Sequence, residues 1–151
     1  MIKSQSFFVP YGKTTLSFTA PAGVRGTLVH SNKLDPLEDV QHAISASLAA
    51  PIGAPPLRAQ AGPGDRACIV FTDITRACPE YLLVPALLRE LEEAGLRDED
   101  ITLLCGIGMH RPSTIEEKIF KLGASVVERY RVIDNEPGNA RALVDLGVTP
   151  G

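Results

Sequence analysis

Apolar and polar positions change period several times along the chain, and each change marks an expected element. Thr15–Ala20 (TLSFTA) alternates apolar with polar. Gly26–Ser31 (GTLVHS) is a second short run bounded by glycine and turn formers, so the first thirty residues read as short strands. From Asp35 the period lengthens. Asp35 is placed to cap a helix, Pro36 suits its first position and Glu38 completes a capping box. Leu37, Val40, Ile44 and Leu48 then recur every three to four residues, the spacing of an amphipathic helix.

Residues 51–64 (PIGAPPLRAQAGPG) break every period. Their proline and glycine predict a connector with one helical turn around Leu57–Ala61, long enough to cover a site or join two subregions. Beyond it the pattern becomes regular. RACIVFTD is a short continuous apolar run, as expected of a strand buried on both faces. Residues 79–95 read as a helix with Pro79 in its first turn, a stripe of Leu83, Leu87, Leu88 and Leu91, and Gly95 as its stop; Pro85 inside it predicts a kink or a later start. ITLLCG is the next strand. STIEEKIFKLG is a helix with Ser113 and Glu116 as a capping box, and SVVERYRVID a third strand. ALVDLGVTPG reads as the start of a further strand. Strand, helix, strand, helix, strand with short links predicts one α/β domain over residues 1–151. Its sheet is open and mostly parallel, with helices on both faces (Rossmann-like), preceded by short N-terminal strands.

Composition narrows the function classes. With 151 residues, 44% hydrophobic and 22% charged, the chain is long enough for a core and is not of disordered composition. A net charge of −3, few aromatics and no tryptophan argue against nucleic acid as a partner. No charged n-region precedes an apolar stretch at the N-terminus, and no window approaches a membrane span, so neither a signal peptide nor a membrane partner is expected. Three cysteines without Cys-x-x-Cys spacing point away from a zinc site or disulfide framework and toward a cytoplasmic protein. No metal ligands are assigned.

Ligands in open parallel sheets bind at the carboxyl ends of the strands, and two such ends are rich in polar groups. DITRACP carries Asp73, Thr75, Arg76 and Cys78; GIGMHRPS carries His110, Arg111 and Ser113. If the strands are near neighbours, Asp73, Arg76 and His110 converge on one small molecule. Plainer readings stand beside this one. Asp73 and Thr75 suit helix caps, Arg76 a surface charge or salt-bridge partner, and His110 a turn. Cys78, just ahead of a helix N-terminus, is a place where a thiol pKa can fall, with packing or inert exposure as the alternative. His30 and His42 read as structural, Cys68 and Cys105 as small hydrophobes in strands. The glycines match neither the dinucleotide fingerprint nor the phosphate-binding loop. They suit a sharp turn from which His110 projects.

Together, YGKTTLSF, PIGAPPLR…GDRACIVFTDITR and LLVPALLRELEEAGLRDEDITLLCGIGMHRPST resemble the N-terminal domain of the nickel-dependent lactate racemase family. The likeness covers nearly the whole chain, and the pairing of Asp-x-Thr-Arg with Gly-x-His-Arg-Pro carries it. The resemblance implies a racemase or epimerase that inverts a small 2-hydroxy acid at its second carbon, using a lysine-tethered nickel pincer nucleotide as hydride acceptor. It implies His110 as the first of two acid–base histidines, Arg76 as the holder of the substrate carboxylate, and Asp73, with Thr75, near the cofactor's ribose hydroxyls. Arg111 is a second candidate for the substrate anion. Ala77 stands where the family usually has proline and Met109 where it has threonine, departures that point to a different 2-hydroxy acid or weakened function. The second histidine, the lysine, the nickel-ligating histidine and the second domain are expected downstream of Gly151. The expectation is that these 151 residues alone bind no cofactor and are inactive. The alternatives are a non-catalytic small-anion-binding module and an interaction domain that self-associates through surface left by a missing C-terminal region.

Overall fold

A computed structural model describes residues 4–149 and divides them between two compact units, one ending at Pro36 and the other starting at Leu37. The first unit is an antiparallel hairpin of β1 (Gln5–Tyr11) and β2 (Thr14–Ala20). Gly12 has φ 58°, which a two-residue hairpin turn needs and other residues resist. Phe7 and Phe18 are cross-strand partners with ring centroids 5.5 Å apart. The expected strand over Gly26–Ser31 does not form; that segment has no regular secondary structure, and His30 in it is exposed.

The second unit begins with α1 (Val40–Ala49). Its cap is Asp39, whose side chain accepts from the His42 N–H at 2.9 Å, so the helix starts later than the Asp35 cap predicts. His42 is exposed on it. The connector holds one 3₁₀ turn, Leu57–Ala59, inside the expected window. Leu57 and Ala61 pack on the core, and Arg58 binds Glu90 through two hydrogen bonds of 2.9 and 2.6 Å. A loop rich in proline is thereby fixed to a helix.

The sheet follows: β3 (Ala67–Thr72), α2 (Glu80–Glu93), β4 (Ile101–Gly106), α3 (Ile115–Leu122), α4 (Ala124–Arg129) and β5 (Arg131–Asp134). Its three strands are parallel in the order β3-β4-β5, and the class is α/β as the alternation predicts. Right-handed crossovers running in one direction put their helices on one face. That face carries Ile69, Phe71, Ile101, Leu103 and Cys105, packed against Val84, Leu88, Leu91, Leu122 and Val126. The buried stripe of α2 is therefore Val84, Leu88 and Leu91, with Leu83 and Leu87 only half-buried. Pro85 is accommodated within the helix. On the opposite face Val70 and Cys68 are exposed, so of the strand cysteines only Cys105 lies in the core.

Two expected boundaries move. The third strand shrinks to Arg131–Asp134 because residues 124–129 are helical. Leu122, Val126 and Tyr130 recur every four residues and all are buried, and this helical burial outweighs the β preference of Val126 and Val127. The cap of α3 is Thr114 rather than Ser113. Thr114 and Glu117 form the capping box, while the Ser113 hydroxyl turns inward to 3.6 Å from Cys105 Sγ. After β5 the described residues contain a 3₁₀ turn at Ala140–Ala142 and no further strand; Pro150 and Gly151 lie outside them.

Leu103 has 0% exposure at the centre of the core. Leu103→Ala is expected to lower stability by about 3 kcal/mol, measurable by chemical denaturation. Glu117 accepts from Arg111 and the Thr114 N–H, and these bonds hold its carboxyl at about 2, below its ordinary 4.5. Its contribution is thus complete above about pH 4.5 and disappears as the pH falls toward 2. Thermal melts should show the advantage of the wild type over Glu117→Gln at pH 6 fading by pH 2.5.

Candidate functional site

In the β3–β4 register Thr72 lies beside Gly106, so the chain leaves the sheet at adjacent points on one rim. After β3 the backbone turns at once, with the Arg76 N–H donating to the Asp73 carbonyl at 3.1 Å. Asp73 braces this turn. Its Oδ1 accepts from the Thr75 hydroxyl at 2.7 Å and from the Thr75 N–H at 3.3 Å. After β4 a second turn closes from the His110 N–H to the Ile107 carbonyl at 3.0 Å, with Gly108 at φ 59°. The Ile107 N–H donates to Asn135 Oδ1 at 2.7 Å, and the Asn135 N–H donates to the Cys105 carbonyl at 3.0 Å. The loop that carries His110 is thereby stitched to the end of β5.

The two turns meet side chain to side chain. His110 Nδ1 contacts Asp73 Oδ2. Asp73 is buried and the imidazole is 51% exposed. The hydrogen bonds from His110 and Thr75 hold the Asp73 carboxyl below the usual range. An ionised carboxylate only accepts, so Nδ1 is the donor and Nε2 of the neutral ring carries the free lone pair.

Arg76 and His110 line one hollow of about 250 Å³, with Asp73 and Met109 in the same wall. Across the Asp73–His110 contact lies a second hollow of about 260 Å³, lined by Thr75, Arg111, Ser113 and Glu117 among others. The arginines differ in commitment. Arg111 is engaged by Glu117 at 2.6 and 2.9 Å. Ion pairs among the described residues also engage Arg58, Arg97 and Arg129, and leave the exposed Arg76 without a carboxylate. Arg76 is therefore not the salt-bridge partner of Asp73. Met109, 90% exposed, presents an apolar chain at this rim.

The Cys78 thiol is not lowered by its place before α2. Partial burial of the sulfur and then the Glu80 carboxylate push its pKa up, although the residue as a whole is exposed. Among the described residues no group of three or more His, Cys, Asp or Glu side chains is disposed to hold a metal ion. Asp73 and Thr75 offer oxygen acceptors that suit the hydroxyls of a sugar.

Three groups at this rim escaped sequence reasoning. Asn135 had no motif to announce it. Glu80 and Lys121 stand in the first turn of α2 and the last turn of α3, where charges usually face water, yet both are buried behind the Asp73–Cys78 turn. No helix of the described residues is long and apolar enough to cross a membrane.

The profile of one family, the lactate racemase N-terminal domain, matches residues 11–151. Lactate racemase from Lactiplantibacillus plantarum is 31% identical over 148 residues, covering 94% of this chain and 34% of the relative. Lactate racemase from Thermoanaerobacterium thermosaccharolyticum is 27% identical over 146 residues, with the same coverage of each. The solved lactate racemase apoprotein from T. thermosaccharolyticum superposes with a TM-score of 0.73 at 25% identity, over 91% of this chain and 31% of that one. A crystal structure of a Thermotoga maritima protein gives a TM-score of 0.60 at 29% identity, over 78% of this chain and 26% of that one. The chain spans about a third of the length of its curated relatives. With two strand-end motifs meeting at one rim and a family profile matched over nearly its whole length, this chain belongs to the lactate racemase N-terminal domain family.

Proposed function

We propose that this chain is the N-terminal part of a 2-hydroxy-acid racemase or epimerase dependent on a nickel pincer nucleotide. The observation that carries the reading is the Asp73–His110 contact between two strand ends, with an uncommitted Arg76 on the same hollow. An arginine without a carboxylate partner offers its planar fork of donors to a substrate carboxylate, which fixes both position and orientation. The hydroxyl at the second carbon then faces His110. Asp73 holds the proton on Nδ1, so Nε2 takes the hydroxyl proton as general base and returns it as acid when the product forms. An imidazole suits this exchange because its unperturbed pKa of about 6.5 allows both directions near neutrality.

The pincer nucleotide, when bound, supplies acceptance and return of the hydride at the second carbon. Thr75 and the remaining lone pairs of Asp73 are the groups here that would meet its ribose hydroxyls. The metal ligands, the anchoring lysine and the second acid–base histidine belong, on this reading, to a C-terminal region that completes the site. The free thiols of Cys68, Cys78 and Cys105 suit a reducing cytoplasm. A small-anion-binding module without chemistry needs Arg76 but leaves the Asp73–His110 couple without a task.

Binding and chemistry can be tested separately. Calorimetric titration of the chain with sodium lactate is expected to show weak binding that Arg76→Met reduces by at least about tenfold, since a charge-assisted pair at 1.4 kcal/mol per decade is lost. Lactamide, which lacks the carboxylate, should not compete. Unchanged affinity in Arg76→Met defeats the assignment. A racemization assay on the chain with supplied cofactor is expected to give no turnover above background, and restored turnover on adding the C-terminal region would support the division of labour.

A further inference from the structure

Behind the Asp73–Cys78 turn lies a cluster that the acid–base scheme does not use. Lys121, on α3, and Glu80, on α2, are both buried. Lys121 Nζ stands 2.6 Å from Glu80 Oε2, an ion pair between two buried side chains. It also donates to the end of β3, to the Thr72 hydroxyl oxygen at 3.2 Å, and to the loop, to the Arg76 carbonyl at 2.9 Å and the Cys78 carbonyl at 3.4 Å. Glu80 Oε1 accepts from the Thr72 N–H at 3.2 Å and from the Thr72 hydroxyl. The network therefore grips both ends of the turn, the residue before Asp73 and the peptide of Arg76 itself.

Geometry distinguishes this from ordinary core packing. A buried ammonium costs much desolvation and is retained only where its donors are met. Here they are met by the Glu80 carboxylate, the Thr72 hydroxyl and two backbone carbonyls of the loop, those of Arg76 and Cys78. The Arg76 side chain projects outward while its carbonyl is held from beneath. We infer that the Glu80–Lys121 pair is a positioning device for Arg76, fixing the backbone from which the guanidinium reaches the substrate carboxylate. The inference rests on the proposed substrate role of Arg76 and adds to it the residues that set its reach. Lys121 and Glu80 touch no substrate on this reading; they are positioning residues.

Lys121→Met alone would strand a buried carboxylate and endanger folding, so the informative variant is the double Glu80→Gln, Lys121→Met. It removes both charges, retains an acceptor for Thr72 and abolishes the ties to Arg76 and Cys78. The double variant, Arg76→Met and the wild type are compared by thermal melting, hydrogen exchange of the Arg76 amide, lactate titration, and NMR titration of the His110 imidazole. The expected result is a folded double variant in which Arg76 amide exchange speeds by about tenfold and the lactate dissociation constant rises by about tenfold. The His110 midpoint should stay where it is in the wild type, because Asp73 keeps its own bonds from Thr75. A generally loosened fold would move both sites, and a shifted His110 midpoint therefore overturns the inference. So does a double variant with wild-type exchange at Arg76. Wild-type lactate affinity in Arg76→Met defeats the substrate reading on which the inference stands, and the exchange data separate that failure from a failure of the network.

Discussion

Parallel pairing of β3 with β4 in a register that sets Thr72 beside Gly106 is the constraint from which the rim follows. Each strand then releases its chain at the same height, and Asp73 comes within reach of His110, 37 positions further along the chain. A shift of one residue along either strand would move the exit by about 3.3 Å and turn alternate side chains to the other face. That register is held by burial. Ala67, Ile69 and Phe71 face the same side as Ile101, Leu103 and Cys105, beneath α2, α3 and α4. Hydrophobic packing on one face thus sets the distance between two polar groups at its edge.

Two carboxylate contacts of different kinds sit at this edge. Asp73–His110 couples a buried acid to a half-exposed imidazole, which leaves one ring nitrogen open to a ligand. Glu80–Lys121 is closed on both sides. For Glu80, burial alone would raise the carboxyl pKa, and the hydrogen bonds of Lys121 and Thr72 together reverse that. An ammonium with three protons finds the oxygens of Thr72, Arg76 and Cys78 beside the Glu80 carboxylate, so its desolvation is offset within the protein. The open pair is suited to exchange protons and the closed one to hold a backbone.

Much of this was legible in the sequence, for reasons that differ residue by residue. β3 and β4 announce themselves as apolar runs, and the polar residues directly after them could be assigned to a rim because strand ends in parallel sheets point one way. The meeting of Asp73 with His110 required only adjacency of the strands. Other features depended on information that no local pattern holds. Val126 and Val127 carry strand preference, and only the recurrence of Leu122, Val126 and Tyr130 on a surface already formed makes that segment helical. Ser113 and Thr114 are equivalent as caps until Cys105 draws the serine inward. Lys121 looks like a charge complementing a helix end, and its burial follows from where α3 crosses the Asp73–Cys78 turn.

The same reasoning separates the two arginines that the motifs supply. A carboxylate approaching Arg111 must replace Glu117, which already makes two charge-assisted bonds to that guanidinium and one to the Thr114 N–H. One carboxylate would be exchanged for another, and the bond from the Thr114 N–H, one half of the α3 capping box, would be disturbed. Arg76 has no such occupant, so a ligand there displaces only water and keeps the full gain of a bidentate contact. Arg111 instead couples the exit of the His110 loop to the first turn of α3, through its bond to the Pro112 carbonyl and its pair with Glu117. On the proposed reading, anion recognition at this rim falls to the arginine whose side chain is free and whose backbone is held, while the arginine whose side chain is held anchors the loop of the neighbouring histidine.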